Sequence, residues 1–288
     1  MKASIVQLQQ GSAEWLAYRL AKRNASESAA VLGLSPWTSP YQLWLIKTRR
    51  LAQPVTHAMQ RGTDLEPAAR LAYEDQTGLV MQPLVLEAGD YSASLDGIDL
   101  AGELVLEIKC PLRGSRSDLW SDVANGQVPE HYMVQVQHQL FVSDARQAHL
   151  WVYSGERGVL HAIDRDEAMM ERIQAGWNQF QQYLNSDTPP TLTDADTVQR
   201  SDAAWAAAAL AFAQAKRGTD TADAALAKAR DALVALAQHP REQGAGVSVT
   251  RFWKAGSVNY KLVPALKGID LEQYRGKARE EVRVTATA

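Results

Sequence analysis

Between Ser94 and Pro111 the chain reads SLDGIDLAGELVLEIKCP. Leu104, Leu106, Ile108 and Cys110 alternate with Glu103, Val105, Glu107 and Lys109, the period-two pattern of a strand with one apolar face. Glu107 and Lys109 therefore share the opposite face. If Ala101-Gly102 forms a two-residue turn, Asp96 falls directly opposite Glu107, with both side chains on one side of the ribbon. Two carboxylates held that way repel unless positive charge lies between them. Lys109 can supply part of that charge. A divalent cation supplies more, and oxygen ligands suit magnesium or manganese, with the Ile108 carbonyl available as a third ligand. The competing reading is a solvent-facing strand with an ordinary salt bridge, and this spacing alone does not separate the two.

The elements that must position these residues can be read on either side. EWLAYRLAKR and SESAAVLG read as helices, the second with Ser26 as its N-cap and a stop near Gly33. SPYQLWLIKTRRL is amphipathic, and RGTDLEPAARLAYEDQTG is expected to start near Thr63 or Asp64 and to stop at Gly78. Strands are expected around MQPLVLE, YSASLDGIDL, GELVLEIKC, AHLWVYS and GVLHAID. VPEHYMVQVQHQLFVS and DEAMMERIQAGWNQFQQYLN have helical spacing, and SDTPPTLTDAD has linker chemistry. The fold class is α/β of the α+β kind, with a mixed sheet flanked by helices.

Composition bounds the rest. A chain of 288 residues with 46% apolar content can bury a large core. One cysteine excludes a disulfide framework and a Cys-rich zinc site. MKASIVQLQQGSAEW has no signal-like apolar run and no segment has membrane-span length, so a cytoplasmic protein without membrane contact is expected. No Gly-rich phosphate loop is present, so no ATP-dependent step is expected. His131 and His138 read as helix-surface residues. Charge is uneven: residues 1–198 carry 16 basic against 24 acidic side chains, and residues 199–288 carry 14 against 9. Two parts are expected, 1–190 and 191–288.

The second part opens with AAWAAAALAFAQAKRG and TADAALAKARDALVALAQH, two Ala-rich helix formers expected to make a helical hairpin. VSVTRFWKAGSVNYKLV invites a β-hairpin about AGS, placing Arg251, Lys254 and Lys261 among Phe252, Trp253 and Tyr260. That interleaving is a nucleic-acid-contact composition, and equally that of a half-buried hairpin with lysine edges. LEQYRGKARE reads as a last short helix.

Ordered blocks give the hairpin its context. EWLAYRL, ASESAAVLG, RGTDLEPAAR, SLDG, EIKCP and HYMVQVQHQLFV follow one another between about residues 14 and 142. Together they resemble the phage lambda exonuclease, or YqaJ-like viral recombinase, family of the PD-(D/E)xK nuclease superfamily. Leu95 stands where that family has proline, at a position that shapes backbone and donates no ligand.

The resemblance implies a restriction-endonuclease-like core and a 5′→3′ exonuclease on linear double-stranded DNA, leaving 3′ single strands for recombination. Catalysis would use two magnesium ions, for which manganese substitutes, about 3.5–4 Å apart. Asp96, Glu107 and the Ile108 carbonyl would hold them with Glu66, Lys109 would orient or deprotonate the attacking water, and Gln135 would lie beside that lysine. Glu66 could equally be a first-turn carboxylate complementing its helix dipole. Arg19, Ser26 and Ser94 match residues lining a pocket for the terminal 5′-phosphate. Arg116 completes it in preference to Arg113, because GSRSDL better resembles the family's Ser-Arg-Asp. A toroidal homotrimer, a single-strand annealing partner and a phage or prophage origin are implied by the resemblance alone. The rival readings are an endonuclease of the same superfamily, acting as monomer or dimer, and a catalytically silent DNA-binding protein.

Overall fold

A computed structural model describes residues 3–8, 11–52, 56–274, 276, 278–279 and 281–285. The chain divides into two compact units, Met1–Thr197 and Val198–Ala288.

The first unit contains β1 (Ser4–Ile5), α1 (Ala13–Ala21), β2 (Arg23–Asn24), α2 (Ser28–Val31), α3 (Pro40–Lys47) and α4 (His57–Thr77). These lead into β3 (Met81–Ala88), β4 (Tyr91–Asp99), β5 (Leu104–Lys109), α5 (Asp118–Ala124) and α6 (Glu130–Ser143). The unit closes with β6 (Gln147–Tyr153), β7 (Gly158–Asp164) and α7 (Glu167–Asn185). One mixed sheet runs in the order β1-β3-β4-β5-β6-β7, with β5 and β6 parallel and β2 paired in parallel to β4.

The turn between β4 and β5 is built by Asp99, whose carboxylate accepts from the amides of Glu103 (2.8 Å) and Leu104 (3.0 Å). Gly102 supplies the left-handed backbone it needs, at φ 74°. The resulting register, Gly97 opposite Leu106 and Ile98 opposite Val105, is the one the Ala101-Gly102 turn requires. The alternation of β5 also holds. Leu106 and Ile108, with Leu104 and Cys110 beside them, pack into a core with Ala69, Tyr73 and Trp151, while Val105 joins the larger core that includes α6 and α7.

Local chemistry explains the remaining elements and where they depart from sequence expectation. Thr56 caps α4 by accepting from the Met59 amide (3.2 Å), so the helix starts well before Thr63; Gly78 ends it at φ 73°. Glu66 is therefore in mid-helix, and the first-turn dipole role does not apply. Ser26 is not an N-cap but lies within a 3₁₀ turn, Ala25–Glu27, that precedes α2. His138 is buried rather than on a helix surface: its Nδ1 lies 2.6 Å from Ser28 Oγ, which also accepts from Trp177 Nε1 (2.9 Å). Burial pulls its pKa down to about 3, so the ring is neutral.

The second unit contains α8 (Ala203–Leu236), β8 (Arg241–Gly244) and β9 (Val247–Thr250). The expected helical hairpin is instead one continuous helix of 34 residues. Gly218 costs a helix only about 1 kcal/mol relative to alanine. Thr219 and Thr221 return their hydroxyls to the carbonyls of Ala215 and Arg217, and Lys216 pairs with Asp220 one turn on. The β-hairpin forms earlier than expected, about Ala245-Gly246, where φ values of 46° and 78° suit a tight two-residue turn. Arg251 then caps the end of α8 through the carbonyls of Val234 (2.9 Å) and Ala237 (3.3 Å). Phe252, Trp253 and Lys254 lie in exposed, irregular chain, and the side chain of Lys261 lies outside the described residues. The last expected helix is a 3₁₀ turn, Leu271–Tyr274, with Arg275, Lys277 and Glu280 outside the described residues. No helix among the described residues is long and apolar enough to cross a membrane.

Gly97 has a steric reason to be glycine, since a Cβ there would lie 2.7 Å from Met81 Cβ and 3.2 Å from Leu106 Cβ. Gly97→Ala should destabilise the protein by roughly 1–3 kcal/mol, as overpacked interiors do. Urea denaturation at matched pH measures this, and an unchanged midpoint would mean that β4 can shift freely.

Candidate active site

The β4–β5 pairing stops where the site begins. β3 lies along one edge of β4, with a register shift between Gln82 and Leu84 that falls opposite Asp96 and Gly97, so β2 and β5 share the other edge. β2 pairs at Tyr91 and Ser92, and β5 pairs at Gly97 and Ile98. Ser94 to Asp96 lie between, while β5 continues pairing with β6 through Lys109. The opened backbone is satisfied by side chains. Asp96 Oδ2 accepts from the Ile108 amide at 2.7 Å, and Gln139 Nε2 reaches the Ser94 carbonyl at 3.5 Å.

Glu107 is 2% exposed and its carboxylate is held from three directions. Gln135 Nε2 donates to Oε1 at 2.7 Å, Gln139 Nε2 donates to Oε2 at 2.5 Å, and Lys109 Nζ lies 2.5 Å from Oε1. The two glutamines are one helical turn apart on α6. Lys109 Nζ also lies 3.4 Å from Gln135 Oε1 and 5.0 Å from the centre of the Tyr132 ring. Burial alone would lower the Lys109 pKa, but Glu107 and Asp96 outweigh it and hold the ammonium above its ordinary value.

Asp96 has the opposite problem. Burial first, then Glu107 and Glu66, push its pKa well above the usual carboxylate value, against Lys109 and the Ile108 amide. Glu66 is also raised, chiefly by burial and with a contribution from Glu107, while Arg70 and Lys109 oppose it. Arg70 Nη1 donates to the Asp96 carbonyl at 2.8 Å and lies 3.5 Å from Glu66, joining α4 to this edge of β4.

Asp96, Glu107, Lys109, Gln135 and Glu66 are thus brought into one interacting group, and the Ile108 amide belongs to it. Gln139 and Arg70 were not singled out from sequence; their signal is four-residue spacing from Gln135 and Glu66. Among the described residues, no three His, Cys, Asp or Glu side chains already converge as a metal-ligand group. The donor chemistry nevertheless fits a hard divalent cation: the carboxylates of Asp96, Glu107 and Glu66 offer oxygen ligands, and burial together with neighbouring carboxylate charge raises the pKa of Asp96, a strain that a cation would relieve.

The other predicted residues are less tightly gathered. Arg19 Nη2 donates to Ser26 Oγ at 3.0 Å, and the guanidinium lies 4.8 Å from the Trp15 ring. Ser94 borders the same strand edge as Asp96, but no hydrogen bond between described residues joins Ser94 or Arg116 to the Arg19–Ser26 pair. Arg113 is exposed and lies 3.4 Å from Asp118, whereas Arg116, in the 3₁₀ turn Gly114–Arg116, has no ion pair among the described residues.

Residues 14–146 match the model of the YqaJ-like viral recombinase domain. The match covers a little under half of the chain, and over it the chain is similar to that family. The chain is 30% identical over 170 residues to the uncharacterized protein YqaJ of Bacillus subtilis (strain 168), across 56% of this chain. It spans about half, 52%, of that relative's length. The fold is similar to two crystal structures of an alkaline exonuclease, LHK-Exo, from Laribacter hongkongensis, one of them in complex with dAMP. Each has a TM-score of 0.51 and 26% identity, covering 61% of this chain and 94% of the other.

The raised Asp96 pKa has a definite sign in stability. The folded protein binds its proton more tightly than the unfolded chain, so this contribution to stability falls as pH rises from the ordinary carboxylate range through the raised value. In metal-free buffer at neutral pH, Asp96→Asn should therefore melt higher than wild type, by a few degrees, roughly the effect of 1 kcal/mol. Calorimetry in chelator checks this, and an Asp96→Asn protein that melts lower would show that no carboxylate repulsion is relieved.

Proposed function

We propose that the chain is a magnesium-dependent exonuclease that digests linear double-stranded DNA from its 5′ ends. The observation that carries this reading is Glu107, a buried carboxylate oriented by Gln135, Gln139 and Lys109 in front of Asp96. Such an arrangement is costly to fold and does no packing, which favours chemistry over a solvent-facing salt bridge. The likeness to LHK-Exo and to the YqaJ-like domain supports a nuclease in general.

Asp96 and Glu107, with the Ile108 carbonyl, would hold the metal, and Glu66 would support a second ion. When bound there, magnesium supplies Lewis acidity to the scissile phosphate and lowers the pKa of an attacking water. The two glutamines fix which Glu107 oxygens face inward. Lys109, kept cationic by its neighbours, is suited to donating a hydrogen bond and offsetting charge on the phosphate rather than to taking up a proton. Arg19 and Ser26, with Ser94 and Arg116, would receive the terminal 5′-phosphate, which sets the polarity. Manganese substitution, a toroidal homotrimer, a single-strand annealing partner and work in the cytoplasm of a phage-bearing host belong to the same proposal.

The test compares digestion of linear and closed circular duplex, with and without 5′-phosphate, with and without magnesium. Digestion confined to linear DNA, favouring phosphorylated ends, is expected. Cutting of closed circles would instead make the enzyme an endonuclease, and inactivity under all metals would leave a DNA-binding protein. Lys109→Ala and Asp96→Ala should each lower the single-turnover rate at least about 10²-fold while the far-ultraviolet spectrum is unchanged. A near-wild-type rate in either variant removes this site assignment.

A further inference from the structure

Lys47 is the most deeply buried lysine among those whose surroundings are described, with 2% of its side chain exposed. Its Nζ donates to the carbonyls of Arg19 and Lys22, both at 2.7 Å, and lies 2.6 Å from Glu27 Oε2. It also lies 5.7 Å from the Trp177 ring. Glu27 Oε2 accepts in addition from Asn24 Nδ2 at 2.8 Å, and Glu27 Oε1 lies 3.4 Å from Arg19 Nη2. Asn24 Nδ2 donates to the Arg19 carbonyl too, at 2.7 Å, and its Oδ1 accepts from Ser92 on β4.

A lysine buried to this degree pays desolvation, and burial does lower its pKa, opposed by Glu27. The contacts show what that placement achieves. Glu27 touches Arg19, and an arginine neutralised by a carboxylate is a poor anion receptor. With Lys47 on the second oxygen, two cations share one carboxylate, and the local balance is positive at the more exposed cation, Arg19. Lys47 also ties down the carbonyls at the end of α1, so the helix end that carries Arg19 is held in place.

We infer that Lys47 is a positioning residue for terminal-phosphate recognition, taking up the charge of Glu27 so that Arg19 and Ser26 stay competent to bind a phosphate monoester. This rests on the proposed role of the Arg19–Ser26 pair, and it goes further by naming the group that sets the pair's charge. Lys47 touches no substrate in this scheme and acts through Glu27 and the α1 terminus.

The experiment uses the full chain in metal-free buffer, where no digestion occurs, and duplex oligonucleotides differing only in a 5′-phosphate or 5′-hydroxyl. Fluorescence anisotropy gives the ratio of the two affinities. Wild type should prefer the phosphorylated end, and Lys47→Met should lower that preference by about tenfold, because the uncompensated Glu27 then neutralises Arg19. Lys47→Met/Glu27→Gln should regain most of the preference, since the excess negative charge is gone although the lysine is still missing. A scaffolding role would give no such rescue. Glu27→Gln alone should keep or raise the preference, and it tests the same balance should Lys47→Met fail to fold. An undiminished ratio in Lys47→Met, no recovery in the double variant, or a reduced ratio in Glu27→Gln each overturns the inference. Equal wild-type affinity for both ends overturns the phosphate-pocket reading and this inference with it, whereas a Lys47 failure alone leaves wild-type preference intact.

Discussion

Everything at the site follows from one strand that has to share an edge. β4 offers a single free edge to two partners, β2 at its start and β5 near its end, and neither reaches Ser94 to Asp96. Backbone groups cannot remain unpaired in a partly buried setting, so side chains must complete the pairing. Asp96 takes the Ile108 amide and Gln139 approaches the Ser94 carbonyl. Alternation along β5 puts Glu107 and Lys109 on one face, and in the gap the Asp96 carboxylate takes the Ile108 amide between them. Gly97 permits it, because only a residue without Cβ lets β4 pass this close to Met81 and Leu106.

The second constraint is the buried Glu107 carboxylate. Burying a charge without partners is far more costly than burying one fully hydrogen-bonded. α6 answers this with two amides one turn apart, and Lys109 adds a cation. The same helix turns Val134, Val136 and Leu140 into the larger core, so one element both builds the interior and orients the carboxylate. Geometry at the site is thereby tied to global packing, since α6 cannot tilt without disturbing that core.

The strand hairpin was legible because period-two alternation and a two-residue turn leave one register, and that register places Asp96 beside Glu107. Gln135 was legible through resemblance. Gln139 was not, because a glutamine on a buried helix face looks like any polar residue until its partner across space is known. The early start of α4 was hidden for a similar reason: Thr63 and Asp64 offered capping side chains, but the Thr56 cap and packing against β5 override them. The continuity of α8 was not legible because its Gly218-Thr219-Asp220 stretch resembles a turn, whereas its threonine hydroxyls can bond back within a helix as easily as they can leave it.

Charge at the two sites flanking β4 is set by local balance rather than by the acidic composition of the unit. Around Asp96, three carboxylates (Glu66, Asp96 and Glu107) face two cations, Lys109 and Arg70, and this excess adds to burial in raising the pKa of Asp96. Around Arg19, two cations face one carboxylate, and the excess is positive. Opposite excesses bordering one strand would attract opposite ligands, a cation to the first and an anion to the second. The two excesses can coexist within an acidic unit because screening confines each to its own neighbourhood, so local composition rather than net charge decides what each would attract.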